Sequence, residues 1–220
     1  MSALAAGTKR PLPLPSQSMP MSNTRTAPER RFDAGYYEKW YEDAETRTYI
    51  ATKAVRFVLS YVDHMDARIN TVLDLGCGLG LWKRALMQQA RSIRYTGVEF
   101  SPYLCRKFGW DRGDVRTYAP GRTFDLAICQ GVLQYLSDED CELAIDNLNR
   151  LSRRFLYLEV LTTADAREIC APEGTDFDVF VRSAGWYARR ISRHFVNLGG
   201  GLYAKPTMRQ HYYELWRTNA

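Results

Sequence analysis

The glycine-rich stretch at residues 72–80 constrains the fold of this chain more than any other feature. It reads VLDLGCGLG, an apolar run followed by glycines at positions 76, 78 and 80, and a helical pattern continues to residue 90. Glycines let a backbone turn tightly and approach a ligand closely, and the helix behind them offers free N–H groups in its first turn. The stretch therefore predicts a strand, a ligand-binding loop and a helix in direct succession.

Two common nucleotide-binding motifs do not fit this loop. A dinucleotide fingerprint has the spacing G-x-G-x-x-G, which would put its third glycine at position 81, where Leu81 stands. A P-loop ends in Gly-Lys-Ser or Gly-Lys-Thr, and neither follows these glycines. The spacing therefore argues against a nicotinamide dinucleotide site, and it excludes a P-loop more firmly.

The rest of the chain alternates between strand and helix patterns. Apolar runs predict strands at residues 71–75, 95–100, 109–114, 124–129 and 155–161. Helical patterns cover residues 33–63 as two helices, then 79–90, 101–107, 138–151 and 183–192. This alternation predicts an α/β fold whose parallel sheet is covered on both faces. Residues 194–205 and 208–217 depart from it and predict an antiparallel strand pair around Pro206.

The basic charge of the chain lies mainly in its first 31 residues. The chain has 220 residues and a net charge of +5, and residues 1–31 hold five basic side chains, one acidic side chain and five of the nine prolines. We expect a disordered tail there, because such a segment cannot bury enough apolar surface to fold; a transit peptide or nucleic-acid arm is the alternative. The folded domain is predicted over residues 32–220, with a helical cap at 32–65.

Cysteine usage and hydropathy narrow the class of protein further. The five cysteines form no C-x-x-C pair, so we expect reduced thiols, no metal site and a cytoplasmic protein. No apolar run approaches the roughly 18 residues of a membrane span, so no membrane association is expected. Beyond the tail, 25 basic and 24 acidic side chains nearly cancel, which argues against a nucleic-acid substrate.

Four stretches, in order, carry a resemblance to a known family. They are VLDLGCGLG at 72–80, GVEFS at 97–101, RGDVRTY at 112–118 and FDLAICQGVLQYL at 124–136. With these motifs the chain resembles the class I S-adenosylmethionine (SAM)-dependent methyltransferases. The resemblance implies a doubly wound, Rossmann-like seven-stranded sheet in the order 3-2-1-4-5-7-6, with strand 7 antiparallel and additional N-terminal helices. It also implies SAM as the cofactor.

The resemblance assigns cofactor contacts residue by residue. The glycine loop would wrap the methionine and ribose portions of SAM through Asp74, Gly76, Cys77, Gly78 and Gly80. Glu99 would accept hydrogen bonds from the ribose hydroxyls, a task that suits a carboxylate because it can accept two bonds at once. The adenine would lie near Phe100, with Asp114 and Val115 meeting its amino edge. Gln130 and Gly131 would line the boundary between cofactor and substrate.

The acceptor side of the site is less clearly marked. Glu159, near the end of the fifth strand, and Tyr135 are the candidate catalytic residues. The candidate substrate-binding residues are Gln134, Trp186, Tyr187, Tyr37 and Tyr41. Residues 162–182 carry an excess of three acidic side chains, which would favour an amine or cationic substrate; a solvated surface loop is the alternative.

The resemblance predicts an enzyme that transfers a methyl group from SAM to an oxygen or nitrogen of a small molecule. An alternative of another class is a catalytically inactive, methyltransferase-like module that binds SAM and acts through a protein partner. A nicotinamide oxidoreductase is the third possibility, and the loop spacing places it last.

Overall fold

A seven-stranded mixed sheet forms the centre of the protein. The computed structural model describes residues 31–41 and 44–208. The strands lie in the order β3-β2-β1-β4-β5-β7-β6, and β7 is antiparallel to both of its neighbours. Their bounds are β1 Thr71–Leu75, β2 Arg94–Glu99, β3 Asp111–Arg112, β4 Phe124–Gln130, β5 Ser152–Glu159, β6 Val196–Gly199 and β7 Leu202–Ala204. This architecture confirms the predicted doubly wound sheet, its strand order and its antiparallel seventh strand.

Helices cover the sheet and begin where the sequence offers caps. They are α1 Ala34–Trp40, α2 Ala44–His64, α3 Leu81–Gln89, α4 Pro102–Phe108, α5 Asp138–Leu151, α6 Thr163–Glu168 and α7 Ala184–Ile191, with single 3-10 turns at Leu133–Tyr135 and Pro172–Gly174. Four helices start at a hydroxyl side chain that accepts a bond from a first-turn N–H: Ser101, Ser137, Thr162 and Ser183. The predictions for β1 and α5 match the observed bounds to the residue.

The core lies on both faces of the sheet. In β4, Leu126 and Ile128 pack with α2 and α3, whereas Ala127 and Cys129 pack with α5 and α7 on the opposite face. Alternate residues of a strand point to opposite faces, so a strand covered on both sides must be apolar throughout. This is why residues 126–129 of β4 form a continuous apolar run, which ends in the polar Gln130 at the carboxyl edge of the sheet.

A buried carboxylate ties β4 to the start of β1. Asp125 accepts bonds from the backbone N–H groups of Asn70 (2.9 Å) and Thr71 (3.1 Å), from the Thr71 hydroxyl, and from the Arg153 guanidinium. Burial acts to raise the pKa of Asp125, but the bonds from Arg153 and the backbone outweigh it and hold that pKa below its usual value. The carboxylate therefore fixes the register of the strand that carries the glycine loop.

We expect Asp125→Ala to destabilise the protein by about 2–4 kcal/mol, because several buried donors lose their acceptor. A carboxyl whose pKa is lowered on folding stabilises the fold above its ordinary pKa, and the contribution disappears as the pH falls through the folded value. Urea unfolding should therefore show a large difference between wild type and variant near neutral pH and a smaller one in acid. A difference that is independent of pH would contradict the role of the ionised carboxylate.

The terminal hairpin differs from its prediction. The two strands lie within residues 196–204. Gly199 ends β6, Gly200 and Gly201 form the turn, and all three glycines have positive φ. Pro206 follows the second strand, and the ladder beside β5 ends with a bond from the Lys205 N–H to the Arg154 carbonyl (2.8 Å). Because three consecutive glycines can turn the chain without strain, the turn forms there and not at Pro206. Of the predicted strand 208–217, residues 209–217 lie outside the described residues.

Smaller differences concern element ends and the tail. The predicted third strand shrinks to Asp111–Arg112, β5 begins three residues earlier than predicted, and residues 162–182 contain α6 and a 3-10 turn. The predicted disordered tail lies outside the described residues except for Arg31, which pairs with Asp176 and Asp178. No helix among the described residues is both long and apolar enough to cross a membrane.

Candidate functional site

The glycine loop is fastened to the end of the neighbouring strand β2. The N–H groups of Gly76 and Cys77 donate to the Val98 carbonyl at 2.8 and 3.1 Å, and the Gly78 N–H donates to the Glu99 carboxylate at 2.8 Å. Gly76 and Gly78 have φ values of +82° and +52°, in the left-handed region that favours glycine. The loop therefore holds a fixed shape at the carboxyl end of the sheet, where open α/β sheets bind ligands.

Glycine is required at two points of the loop for reasons of space. A Cβ at Gly76 would lie 2.3 Å from a methyl carbon of Val132, and one at Gly80 would lie 2.7 Å from the Trp110 ring. The Trp110 indole also donates to the Gly78 carbonyl at 3.0 Å, so this ring supports the loop from outside. Gly80 faces Trp110 and does not line a cavity, which makes its part in the loop structural here.

Among the acidic residues at the carboxyl ends of the strands, Glu99 is the most buried after Asp74. Its carboxylate accepts three backbone bonds, from Gly78, Phe100 (2.8 Å) and Ser101 (2.9 Å), and only 6% of the residue is exposed. A carboxylate has about four lone-pair directions, so it can still accept from a ligand. Glu99 thus joins the glycine loop to the start of α4 and presents its remaining capacity to a cavity.

That cavity has a volume of about 260 Å³ and collects the predicted adenosine contacts. Glu99, Phe100, Asp114 and Val115 all line it, together with the loop glycines Gly76 and Gly78. Asp114 already contacts the Arg116 guanidinium and the Arg116 N–H. Burial acts to raise the pKa of Asp114, but the bonds from Arg116 outweigh it and lower that pKa, which keeps the carboxylate ionised as an acceptor.

Helix α1 covers this cavity with aromatic rings. The cavity is lined by Tyr37 and Tyr41, which were predicted as substrate-binding residues, and by Phe32 and Tyr36. The Ser101 hydroxyl donates to the Phe32 carbonyl at 2.5 Å, and the Tyr36 and Tyr135 hydroxyls are 2.7 Å apart. The cover is therefore joined on one side to α4 and on the other to the turn after β4.

A second cavity of about 640 Å³ continues from the first. Both are lined by the residues at their junction: Tyr36, Tyr41, Gly76, Gly78, Gln130, Gly131 and Tyr135. Four residues of the predicted site line the larger cavity but not the smaller one: Asp74, Cys77, Gln134 and Glu159. The structure thus brings the loop, the end of β4 and the end of β5 to one continuous cleft.

A chain of hydrogen bonds orders the wall between β4 and β5. The Trp82 indole donates to the Gln130 side-chain oxygen at 2.7 Å, and the Gln130 amide donates to the Glu159 carboxylate at 2.9 Å. The Tyr157 hydroxyl donates to the same Glu159 oxygen at 3.1 Å. Glu159 itself is exposed to the cavity. Its carboxylate therefore has a fixed direction although it is not buried.

Asp74 is a buried acid on the other side of the same cavity. It is 2% exposed and accepts a bond of 2.6 Å from the Tyr95 hydroxyl. Burial raises the pKa of Asp74 to about 7, even though the Tyr95 bond acts in the opposite direction. The charge of this carboxyl is therefore balanced between two states near neutral pH.

Two predicted substrate residues lie away from the cleft. The Tyr187 hydroxyl accepts from the buried Arg182 guanidinium at 3.1 Å, and the Trp186 ring lies under Arg182 and Arg190. Arg182 in turn donates to the Leu136 carbonyl at 2.6 Å, just after the 3-10 turn that bears Tyr135. Trp186 and Tyr187 line neither cavity. Trp186 and Tyr187 support the wall of the cleft indirectly, because they position Arg182, which holds the 3-10 turn that bears Tyr135.

Sequence reasoning missed several residues of the cleft. Arg31 and Asp176 are 145 positions apart, yet they form an ion pair of 3.0 Å beside Tyr36, whose hydroxyl also donates to Asp176 at 3.2 Å. Trp110 lies outside the four motifs and still supports the loop. The aromatic spacing of residues 36–41 was a signal for Tyr36, but nothing in the sequence marked its partners.

Comparisons with known proteins agree with this geometry. A family model described as a methyltransferase domain matches residues 72–154, from β1 into β5. The trans-aconitate 2-methyltransferase of Azoarcus sp. (strain BH72) is 34% identical over 94 residues, which are 40% of this chain and 36% of that protein. The chain thus matches about a third of the length of this curated relative.

Solved structures share the fold at low sequence identity. The magnesium protoporphyrin IX methyltransferase of Synechocystis PCC 6803, solved with SAH bound, has a TM-score of 0.57 and 14% identity, over 80% of this chain and 94% of that one. The SAM-bound amino pentose methyltransferase of Micromonospora echinaspora has a TM-score of 0.55 and 16% identity, over 76% and 96% of the two chains.

Fold and site together define a class of protein. A doubly wound sheet with a glycine loop after β1 and acidic residues after β2 and β3 is an α/β protein with a nucleotide-type cleft at its strand ends. Residues 72–154, which include this loop and these acids, match a methyltransferase domain, and the solved methyltransferases share the fold of the chain.

Proposed function

We propose that this protein transfers a methyl group from SAM to an oxygen or nitrogen of a small molecule. The observation that carries the proposal is the smaller cavity, in which the loop glycines, Glu99 and Asp114 meet at the ends of three strands beside a larger chamber. A cofactor site that opens into a second cavity of about 640 Å³ suits a bisubstrate reaction with a small acceptor.

The residues of the cleft fit an adenosine-bearing cofactor. Glu99 and Asp114 offer carboxylate oxygens for hydroxyl and amino groups, and Phe100 and Tyr37 offer aromatic surface beside them. At Gly76 the absence of a side chain lets the backbone approach Val132, so the loop closes on the cavity without filling it. These residues would hold the adenosine, and Asp74 with the loop would meet the methionine portion.

The methyl-transfer step requires little from the protein beyond alignment of the two reactants. SAM, when bound, supplies a methyl carbon that is activated by a sulfonium. Gln130, Gly131 and Tyr135 line the junction of the two cavities and would align the acceptor there while excluding water. Burial raises the pKa of Tyr135 well above its usual value, so this hydroxyl would act as a neutral hydrogen-bonding group. Glu159 is the carboxylate placed to take a proton from the acceptor.

Calorimetric titration with SAM, S-adenosylhomocysteine (SAH) and NADH tests this proposal. We expect the two sulfur nucleotides to bind and NADH not to bind. A screen for methyl transfer then separates an enzyme from the inactive SAM-binding module, which would bind SAM and leave every acceptor unmodified. Binding of NADH without binding of SAM or SAH would contradict the proposal and favour an oxidoreductase.

Cofactor affinity should depend on pH through Asp74. Because the pKa of Asp74 is about 7, its carboxyl is largely protonated below that pH and charged above it. SAM carries positive charges, so its affinity should fall by up to about tenfold for each pH unit below 7. Titrations of wild type and Asp74→Asn from acid to neutral pH check this, with a flat profile expected for the variant. Parallel profiles would contradict the assignment.

A further inference from the structure

The larger cavity is rich in hydrogen-bond acceptors. The carboxylates of Asp74, Glu159, Asp165 and Asp176 line it, whereas Arg47 is the one cationic side chain among its described lining residues. The Arg47 guanidinium donates to the Trp40 carbonyl at 2.6 Å and lies 4.4 Å from the centre of the Tyr41 ring. The cavity as a whole therefore repels anions and attracts molecules that donate hydrogen bonds.

Two of these acids are matched by their own neighbours. Asp165 accepts bonds from the backbone N–H and the hydroxyl of Thr162, as the capping box of α6. Asp176 is paired with Arg31 at 3.0 Å and also accepts from the Tyr36 hydroxyl. The charge of Asp176 is therefore balanced by an ion pair, and the lone pairs of Asp165 are used in capping α6.

Within the part of the chain that the structure describes, Glu159 differs from Asp176 because it has no cationic partner, and from Asp165 because its carboxylate does not cap a helix. Gln130 and Tyr157 both donate to the same carboxylate oxygen, which fixes the group, and no ion pair is found for Glu159 among the described residues. The residue is exposed to the cavity. Since Gln130 also lines the cofactor cavity, this uncompensated negative charge lies beside the junction where the methyl group would arrive.

A buried acceptor beside the cavity also lacks a donor among the described residues. The side-chain oxygen of Gln134 is buried and receives no hydrogen bond from any described residue. A buried acceptor without a partner costs roughly 1–3 kcal/mol, and the cost is recovered when a donor reaches it. The Gln134 oxygen has almost no surface open to the cavity, so Glu159 is the exposed acceptor that calls for a ligand with N–H donors and a positive charge.

We propose that the acceptor is a small molecule with an aliphatic amine, and that Glu159 accepts a hydrogen bond from that amine. An ammonium group has three donors, no acceptor and a positive charge, which suits a fixed carboxylate without a cationic partner among the described residues. This proposal rests on the proposed function and narrows its acceptor from oxygen or nitrogen to nitrogen.

The proton and electron balance follows from these positions. Glu159 takes a proton from the bound ammonium, and the neutral nitrogen then presents its lone pair to the methyl carbon. The new N–C bond forms as the S–C bond breaks, and the electron pair of that bond stays on sulfur to give the thioether SAH. The nitrogen becomes cationic again, and the proton held by Glu159 passes to solvent.

Three probes with one scaffold test the charge preference of the cavity. Tyramine, tyrosol and 4-hydroxyphenylacetate share a 4-hydroxyphenyl ring and carry an amine, an alcohol and a carboxylate at the side chain. Each is titrated calorimetrically into the protein with and without saturating SAH, and trans-aconitate serves as a second carboxylate probe. We expect tyramine to bind at least about tenfold more tightly than either carboxylate, because a charge-assisted bond forms with Glu159.

Two variants distinguish the effect of the Glu159 charge from the effect of negative surface charge in general. Glu159→Gln should remove about tenfold or more of the tyramine affinity while leaving tyrosol and SAH affinities within about twofold. Glu139→Gln, an exposed acid in the first turn of α5, removes the same charge outside both cavities and should change none of them. Methylation of the tyramine nitrogen, identified by mass spectrometry, should fall in parallel with binding in the Glu159 variant.

The outcomes distinguish this proposal from the proposed function. Failure to bind SAH would contradict the proposed function, and tyramine titrations without SAH would still decide the character of the cavity. Equal affinity for amine and carboxylate, no binding of tyramine in either state, or an equal loss of all three probes in Glu159→Gln would each overturn the amine assignment.

Discussion

Replacing Glu99 with alanine should weaken SAM binding by roughly 10- to 100-fold, because a hydrogen bond to a charged group contributes about 1.5–3 kcal/mol. The Glu99 carboxylate lines the smaller cavity at the end of β2, where the ribose hydroxyls are proposed to lie. Isothermal titration with SAM and SAH measures the loss. An unchanged affinity in a correctly folded variant would show that the ribose assignment is wrong.

The same substitution also disturbs the protein itself. Three backbone N–H groups, from Gly78, Phe100 and Ser101, lose their acceptor, and each buried loss costs up to about 1–3 kcal/mol. Lower affinity could therefore come from a loosened loop. A chemical double-mutant cycle separates the two causes: SAH lacking its ribose hydroxyls should bind wild type and Glu99→Ala with nearly equal affinity, apart from the loop effect. A coupling of zero would contradict direct contact.

The parts of the fold that were predictable are those with local signals. The β1 strand ends just before Gly76, and α5 is capped by Ser137, whose hydroxyl accepts from the Asp140 N–H at 3.2 Å. Such caps and turns act within a few residues, so a single sequence contains them. The strand order, in contrast, came from the family resemblance, and the fold confirms it.

The terminal hairpin shows why a turn signal can mislead. Both Pro206 and the glycines at 199–201 can reverse a chain, and sequence alone does not rank them. The ladder between β5 and β7 decides the matter, because Leu202 and Ala204 must face the core beside Tyr157 and Phe155. That constraint comes from burial against a strand about 45 residues away, which local patterns do not contain.

The candidate site divides in the same way. Cavity-lining residues at or just after strand ends, such as Glu99, Asp114 and Gln130, could be selected from the sequence because motif and strand end coincide. Trp186 and Tyr187 were predicted to bind the substrate as aromatic residues that follow the segment 162–182. Both side chains instead contact Arg182 and lie away from the cavity. A long-range partner decided their orientation. The candidate catalytic pair Glu159 and Tyr135 stays a prediction that the acceptor experiments address.

The second large effect is expected from Gly76→Ala. A side chain at this φ of +82° costs about 1–2 kcal/mol, and a Cβ only 2.3 Å from a Val132 methyl adds overpacking of about 1–3 kcal/mol. Because the Gly76 N–H holds the loop to the Val98 carbonyl, any shift that relieves the clash also moves the cofactor loop. We expect a loss of roughly 2–5 kcal/mol in urea unfolding together with strongly reduced SAM affinity.

Gly109→Ala is the matched control for this substitution. Gly109 has a φ of +70°, close to that of Gly76, but a Cβ there would meet no atom within 4 Å. It should therefore show the conformational cost alone, about 1–2 kcal/mol, with SAM affinity unchanged. Adding Val132→Ala to Gly76→Ala should recover part of the stability, because it removes the methyl that the new Cβ meets. Equal losses in the two single variants, or no recovery in the double variant, would show that close packing against Val132 does not shape the loop.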